Sequence, residues 1–278
     1  MLGAIIGDMV GSMYEFTSIK TKDFEIFNMD SRMTDDSYLT IEVAKVLMKY
    51  YPISYDKKTL NSIKNDLIRG FVYTCKNHIY AGWGNMFFNW CMNSNHDPYN
   101  SFGNGSAMRI SPVAYVAKSE DKVKVLSKTI SEITHNHPEG IKGAEAIAIS
   151  IYLALTGASK DEIKNRMVKE YYPGILNLNF ESLLNNYKFS SKCEDTVPIA
   201  IYCFLISNSL EDAIRNAVAI GGDTDTITSM TASIAEAFYQ KDSLSDFEDK
   251  FLYLKIDKET EDLIKDFYKM VGIKKFQN

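Results

Sequence analysis

The chain has 278 residues, 45% of them hydrophobic and 24% charged, which is enough to bury a large core and typical of a globular protein. Its formal net charge of −5 excludes the positive field of nucleic-acid and anionic-membrane binders. Asp8 interrupts the first apolar run too early for a signal peptide, and the longest run, 146–155, is too short to span a bilayer. We therefore expect a single cytoplasmic domain over residues 1–278, a monomer that binds neither nucleic acid nor membrane.

The four cysteines form no C-x-x-C pair and are too sparse for a disulfide framework, which indicates reduced thiols.

Glycines at four-residue spacing mark the first predicted helix, over 2–14. Gly3, Gly7 and Gly11 lower helix propensity there, so we expect close packing against another helix to compensate. Glu15 follows between two aromatic residues, and its spacing alone is typical of a surface carboxylate.

An acidic cluster opens the second predicted helix. Thr34 suits the N-cap, Asp35 and Asp36 fall in the first turn, and an apolar stripe continues to Tyr50. Taken alone, the cluster is equally an acidic helix start stabilised by the helix dipole.

Helical periodicity recurs along the rest of the chain, and no β-alternation persists, which predicts an all-α, compact multi-helix bundle. The polar stretch within 157–194 is hard to interpret beyond its first helix. Further helices are predicted over 57–77, through Trp90, and over 120–134, 140–155, 159–171, 195–207, 209–219 and, as one or two helices, 242–274.

A glycine loop lies near the middle of the chain and precedes a segment that starts at Ala107. Glycines that expose backbone amides before a helix can hold phosphate, although a plain turn has the same pattern. The loop residues are Ser101, Phe102, Gly103, Asn104 and Gly105. His135 and His137 then precede a helix, where histidines are usually caps, and no further Cys or His completes a transition-metal site.

A second acidic cluster follows Gly221 and Gly222, whose backbone can turn tightly. Asp223, Asp225 and Thr226 stand where a further helix begins. The sixth and twelfth positions from Asp223 lack the glycine and glutamate of a calcium-binding EF-hand loop. Close-set hard oxygen ligands suit Mg²⁺ or Mn²⁺, so the two acidic clusters are predicted to be halves of one metal site.

Taken together and in this order, these motifs resemble those of the ADP-ribosylglycohydrolase family over nearly the whole chain. The matching segments are Gly3 to Phe16, Thr34 to Ser37, Tyr99 to Arg109, Thr134 to Gly140, Val197 with Pro198, and Gly221 to Thr226.

The resemblance implies an all-α bundle with two Mg²⁺ ions in a central cleft. By matching position, the implied metal ligands are Thr34, Asp35, Asp36, Asp223, Asp225 and Thr226, with Asp225 bridging both ions. The implied ligand is ADP-ribose, with its diphosphate at the glycine loop and His135 near the phosphates and ribose. Glu15 matches a mobile glutamate of members that act on O-linked ADP-ribose.

The expected activity is hydrolysis of the glycosidic bond between ADP-ribose and a protein or small-molecule acceptor, with Glu15 or Asp36 accepting the proton of the water. No aspartate near Asn89 matches that of arginine-specific members, so the linkage stays open, and Glu15 favours O-linked or free ADP-ribosyl substrates. The alternatives are a non-catalytic ADP-ribose binder or structural protein of this fold, and a di-metal hydrolase acting on nucleotides.

Overall fold

A computed structural model describes residues 1–239 and 256–273, and within these ranges it contains α-helices and no strand. The all-α multi-helix bundle is confirmed. The helices of the first half are α1 Leu2–Gly11, α2 Asp35–Lys49, α3 Lys57–Asn77, α4 Asn85–Met92, α5 Gly105–Met108, α6 Ser111–Val116 and α7 Glu120–Ser131. Those of the second half are α8 Pro138–Leu155, α9 Lys160–Glu170, α10 Phe180–Asn186, α11 Cys193–Leu205, α12 Leu210–Ile220, α13 Thr224–Tyr239 and α14 Lys258–Met270.

Most predicted helices lie within a few residues of their expected ends, and α3 matches residues 57–77 at both ends. The first helix stops at Gly11, short of the predicted residue 14. The polar stretch contains a 3₁₀ turn, Pro173–Asn177, and then α10, which was not predicted because none of its residues is buried and no apolar stripe marks it. Residues 242–255 and 274 of the predicted tail lie outside the described residues.

Helices α1 and α13 pack closely, because the glycine stripe of α1 lies directly on the backbone of α13. A Cβ atom placed on Gly3 would lie 2.3 Å from the carbonyl oxygen of Ala232, and one on Gly7 would lie 2.4 Å from that of Thr228. At Gly11 it would lie 2.5 Å from Cα of Asp225. The predicted compensation for these glycines is therefore confirmed, and α1 ends beside the second acidic cluster.

The nearly all-apolar helix α8 occupies the centre of the bundle, where it packs against α5, α6, α7, α11 and α13. Helix α14 packs against α2, and its Tyr268 hydroxyl accepts a hydrogen bond of 2.8 Å from the Leu2 amide and donates one to buried Glu236 of α13. Within residues 1–239 and 256–273, no helix combines the length and apolarity needed to cross a membrane.

The glycine stripe yields a stability prediction. Gly7→Ala forces its methyl group against the Thr228 carbonyl of α13, so we expect a loss of about 1–3 kcal/mol in the free energy of unfolding, measured by urea denaturation. Gly174→Ala is the matched control, because nothing lies within 4 Å of its added Cβ atom. Equal stability of the two variants would contradict the close α1–α13 packing.

Candidate functional site

The second acidic cluster lies at the N-terminus of α13, as predicted. Gly221 and Gly222 have φ angles of 72° and 91°, which L-residues with side chains rarely adopt, and they turn the chain sharply from α12 into α13. Asp225 is buried in the first turn, where its Oδ1 accepts a hydrogen bond of 2.9 Å from the Thr226 amide. The positive end of the helix dipole favours carboxylates at this position.

The first acidic cluster lies at the N-terminus of α2, where buried Asp8 of α1 holds the backbone in place. Asp8 accepts hydrogen bonds from the amide and hydroxyl of Thr34, at 2.8 and 2.7 Å, and from the amide and hydroxyl of Ser37. Thr34 is the N-cap and accepts a hydrogen bond from the Asp36 amide. Thr34 is therefore engaged with α1 and α2, and it does not line the cleft.

The two acidic clusters meet in space. The hydroxyl of Thr226 donates a 3.1 Å hydrogen bond to Oδ2 of Asp36, across 190 residues of sequence. Carboxylate oxygens of Glu15, Asp223 and Asp225 all lie within 4.8 Å of one another, which is the spacing of a metal-binding group. These residues and Asp35 line one cleft with a volume of about 470 Å³.

Burial and mutual repulsion raise the pKa values of the carboxyl groups in this cleft. Burial and the charge of Asp225 raise the pKa values of Asp35 and Asp36 well above the usual range for aspartate. The same causes raise the pKa of Glu15 to about 7, against a smaller opposite effect of Arg32. Such a group of carboxylates is unfavourable as a set of bare charges and is stabilised by protons or by a cation.

The glycine loop lines the same cleft. The side-chain amide of Asn104 donates a 2.8 Å hydrogen bond to Oδ2 of Asp223, which joins the loop to the acidic cluster. The Gly103 amide donates to Oγ of Ser101 and the Asn104 amide to the carbonyl of Ser191, so these two amides already have partners within the protein.

The two histidines have different surroundings. His137 is the N-cap of α8 and its Nδ1 accepts a hydrogen bond of 3.1 Å from the Glu139 amide, as expected of a capping residue. His135 is buried, lines the cleft, and points Nε2 towards Gly103 and Gly105. Phe102 lies outside the cleft lining, 5.5 Å from the ring of His137 and 46% exposed.

The structure therefore brings most of the sequence-predicted site residues into one cleft and leaves Thr34 and Phe102 outside its lining. The predicted residues that line it are Glu15, Asp35, Asp36, Ser101, Gly103, Asn104, Gly105, His135, Asp223, Asp225 and Thr226.

Three parts of the site were not predicted. Asp8 is a lone carboxylate in an otherwise apolar helix, a signal that points to a buried polar role. Arg109 is a lone cation in an apolar segment and is fully buried in the cleft wall. The segment 187–192 runs antiparallel to the glycine loop and contributes Phe189 and Ser191, and nothing in its polar composition indicates this.

Known proteins resemble this chain over most of its length. The ADP-ribosylarginine hydrolase Tri1 of Pseudomonas putida (strain GB-1) is 25% identical over 267 residues, which cover 86% of this chain and 69% of that protein. The human ADP-ribosylhydrolase ARH3 is 27% identical over 191 residues, 52% of each chain, so the match spans about half the length of that relative.

A solved structure described as an ADP-ribosylglycohydrolase-related protein complex has the same fold, with a TM-score of 0.72 at 20% identity, and the match covers 97% of this chain and 95% of that one. The sequence model of the family described as ADP-ribosylglycohydrolase matches residues 1–271. This chain belongs to the ADP-ribosylglycohydrolase family.

Proposed function

We propose that this protein is a Mg²⁺-dependent hydrolase that cleaves the glycosidic bond between ADP-ribose and an acceptor. The observation that carries the proposal is the meeting of both acidic clusters, Glu15 and the glycine loop in one cleft. Both relatives are named as hydrolases of ADP-ribosyl groups, which supports the same class of substrate for this chain.

The acidic residues fit a divalent cation. Oδ1 of Asp36 is buried and has no hydrogen-bond partner among the described residues, which is a costly arrangement for a carboxylate unless a cation binds it. The proposed ligands are Asp35, Asp36, Asp223, Asp225 and Thr226, which line the cleft, and Thr34, whose hydroxyl oxygen keeps a lone pair while its proton is donated to Asp8. Asp225 would serve both of two ions. Mg²⁺ suits these oxygen donors, and Mn²⁺ is the alternative ion. When bound, such ions would hold the ribose hydroxyls and acidify water.

Glu15 is the proposed general base. It lies beside Asp223 and Asp225 yet is only half-buried, at the open side of the acidic cluster. Its carboxylate is within reach of a water held beside Asp223 and Asp225, where it can accept a proton. Asp36 is the other candidate, but it is buried and already accepts a hydrogen bond from the hydroxyl of Thr226.

An O-linked or free ADP-ribosyl substrate fits the charges around the acidic cluster better than an arginine-linked one. Every carboxylate that lines the cleft, among the described residues, is either a proposed metal ligand or the proposed base, Glu15. No further carboxylate in this lining is left to pair with a guanidinium leaving group.

The cluster predicts how Mg²⁺ affects stability at different pH values. Without metal, the carboxyl groups of the cluster have a higher pKa in the folded chain than in the unfolded chain, where it is about 4. Their protonation therefore stabilises the fold below about pH 4, and this contribution is lost as the pH rises to about 7. Mg²⁺ replaces these protons, so its saturating addition should raise Tm by roughly 5 °C at pH 8 and by much less at pH 5. Thermal unfolding with and without Mg²⁺ measures both gains, and an equal gain at the two pH values would contradict the assignment.

Asp225 should be essential to activity but not to folding. Asp225→Asn removes the proposed bridging charge, so we expect kcat/KM to fall roughly 10³-fold or more and the Mg²⁺-induced rise in Tm to disappear. Asp266→Asn is the matched control, an exposed aspartate of α14 that should behave as wild type. EDTA should abolish wild-type activity, and release of ADP-ribose by the EDTA-treated protein would refute metal dependence.

A substrate panel tests the reaction itself. Release of ADP-ribose is measured from arginine-linked, serine-linked and acetyl-linked ADP-ribose, with nucleotides and phosphate esters assayed beside them. The proposal predicts faster turnover of the serine-linked and acetyl-linked substrates than of the arginine-linked one. Binding of ADP-ribose without turnover would indicate a non-catalytic binder, and turnover of nucleotides alone would indicate a different di-metal hydrolase.

A further inference from the structure

Arg109 is a fully buried cation in the cleft wall whose hydrogen-bonding capacity is mostly unused. Its Nη2 donates a 2.7 Å hydrogen bond to Oγ1 of Thr134. Its Nε and Nη1 have no acceptor among the described residues, and the guanidinium lies 4.8 Å from the ring centre of Phe71. Burial lowers the pKa of Arg109 to about 10, which leaves it charged at neutral pH. A buried guanidinium is costly, so its single hydrogen bond to a described residue calls for an explanation.

The hydroxyl of Thr134 joins Arg109 to His135. Oγ1 of Thr134 lies 2.7 Å from Nδ1 of His135. A guanidinium can only donate, so the Thr134 hydroxyl accepts from Arg109 and its own proton needs an acceptor. Of the two described partners of Oγ1, only Nδ1 of His135 can accept, so the hydroxyl proton is directed to it.

His135 is therefore neutral and carries its proton on Nε2. Burial and the charge of Arg109 lower the pKa of His135 well below its usual value, which excludes the doubly protonated ring at neutral pH. Nε2 points at the glycine loop, since it lies 3.2 Å from where a Cβ atom of Gly105 would be and 3.6 Å from that of Gly103. The amides of Gly103 and Asn104 already donate to partners within the protein. The Nε2–H of His135 is therefore a further donor directed towards the glycine loop.

We propose that Arg109 and Thr134 are positioning residues that hold His135 in the Nε2–H tautomer, so that it donates a hydrogen bond to a diphosphate oxygen at the glycine loop. Without this hydrogen bond from Thr134, the imidazole could carry its proton on Nδ1 and present a lone pair to an anion. The identity of the ligand rests on the proposed function, whereas the tautomer is a property of the protein alone.

Nitrogen-15 NMR of the histidine side chains tests the tautomer directly. The chain has four histidines, so the His135 signal can be assigned by its loss in His135→Gln. We expect the wild type and Thr134→Ser to show a protonated Nε2 and an unprotonated Nδ1, and Thr134→Val to show a mixture of tautomers. A proton on Nδ1 in the wild type, or an unchanged spectrum in Thr134→Val, would overturn the proposal.

Thr129→Val is the matched control for this substitution. Its hydroxyl donates a 2.7 Å hydrogen bond to the carbonyl of Val125 within α7, so its loss should leave the His135 spectrum unchanged. Arg109→Met removes the donor to Thr134 and should shift the tautomer in the same direction as Thr134→Val. Because this variant can fail to fold, its circular dichroism is checked first, and the threonine variants test the proposal in either case.

Calorimetry with ADP-ribose and Mg²⁺ tests the consequence for binding. Only the Nε2–H fraction of His135 can donate to the diphosphate, so Thr134→Val should raise the Kd by the inverse of the Nε2–H fraction seen by NMR, about two- to tenfold, whereas Thr134→Ser should keep the wild-type Kd. Wild-type affinity in Thr134→Val would refute the positioning role. If the wild type itself binds no ADP-ribose, the proposed function fails, and the NMR result still decides the tautomer.

Discussion

The repulsion among five carboxylates in one cleft is the constraint on which the rest of the site depends. Glu15, Asp35, Asp36, Asp223 and Asp225 approach one another although burial raises the energy of each charge. Two helix N-termini oppose this cost, since α2 and α13 both direct the positive ends of their dipoles at the cluster. These dipoles offset only part of the repulsion, so the apo cleft takes up either protons or a cation, and this competition couples pH to metal binding.

Rigid packing keeps the carboxylates together. The glycine stripe of α1 allows its backbone to lie against α13, and Asp8 on the same helix accepts four hydrogen bonds from the start of α2. One short helix thus fixes both halves of the site, and the chain that leaves it carries Glu15. Burial and the charge of Asp225 raise the pKa of Asp8 to about 7, so even this structural carboxylate responds to the charge of the cluster.

The sequence predicted those features that depend on residues close together in the chain. Helical periodicity located most helices, the spacing of Gly3, Gly7 and Gly11 predicted close packing, and the Gly221–Gly222 pair predicted the sharp turn. The unpredicted parts depend on contacts between residues far apart in the chain. Nothing local to Arg109 reveals its bond to Thr134, and nothing in segment 187–192 reveals that it pairs with the glycine loop, because both are products of how the helices pack.

Anomalous scattering from Mn²⁺ in crystals of the protein is the most direct test that the two distant acidic clusters form one metal site. The account predicts two anomalous peaks in the cleft, one on the side of Asp35 and Asp36, one on the side of Asp223, and Asp225 in contact with both. A fully loaded crystal with peaks only elsewhere on the surface, or with none in the cleft, would contradict it.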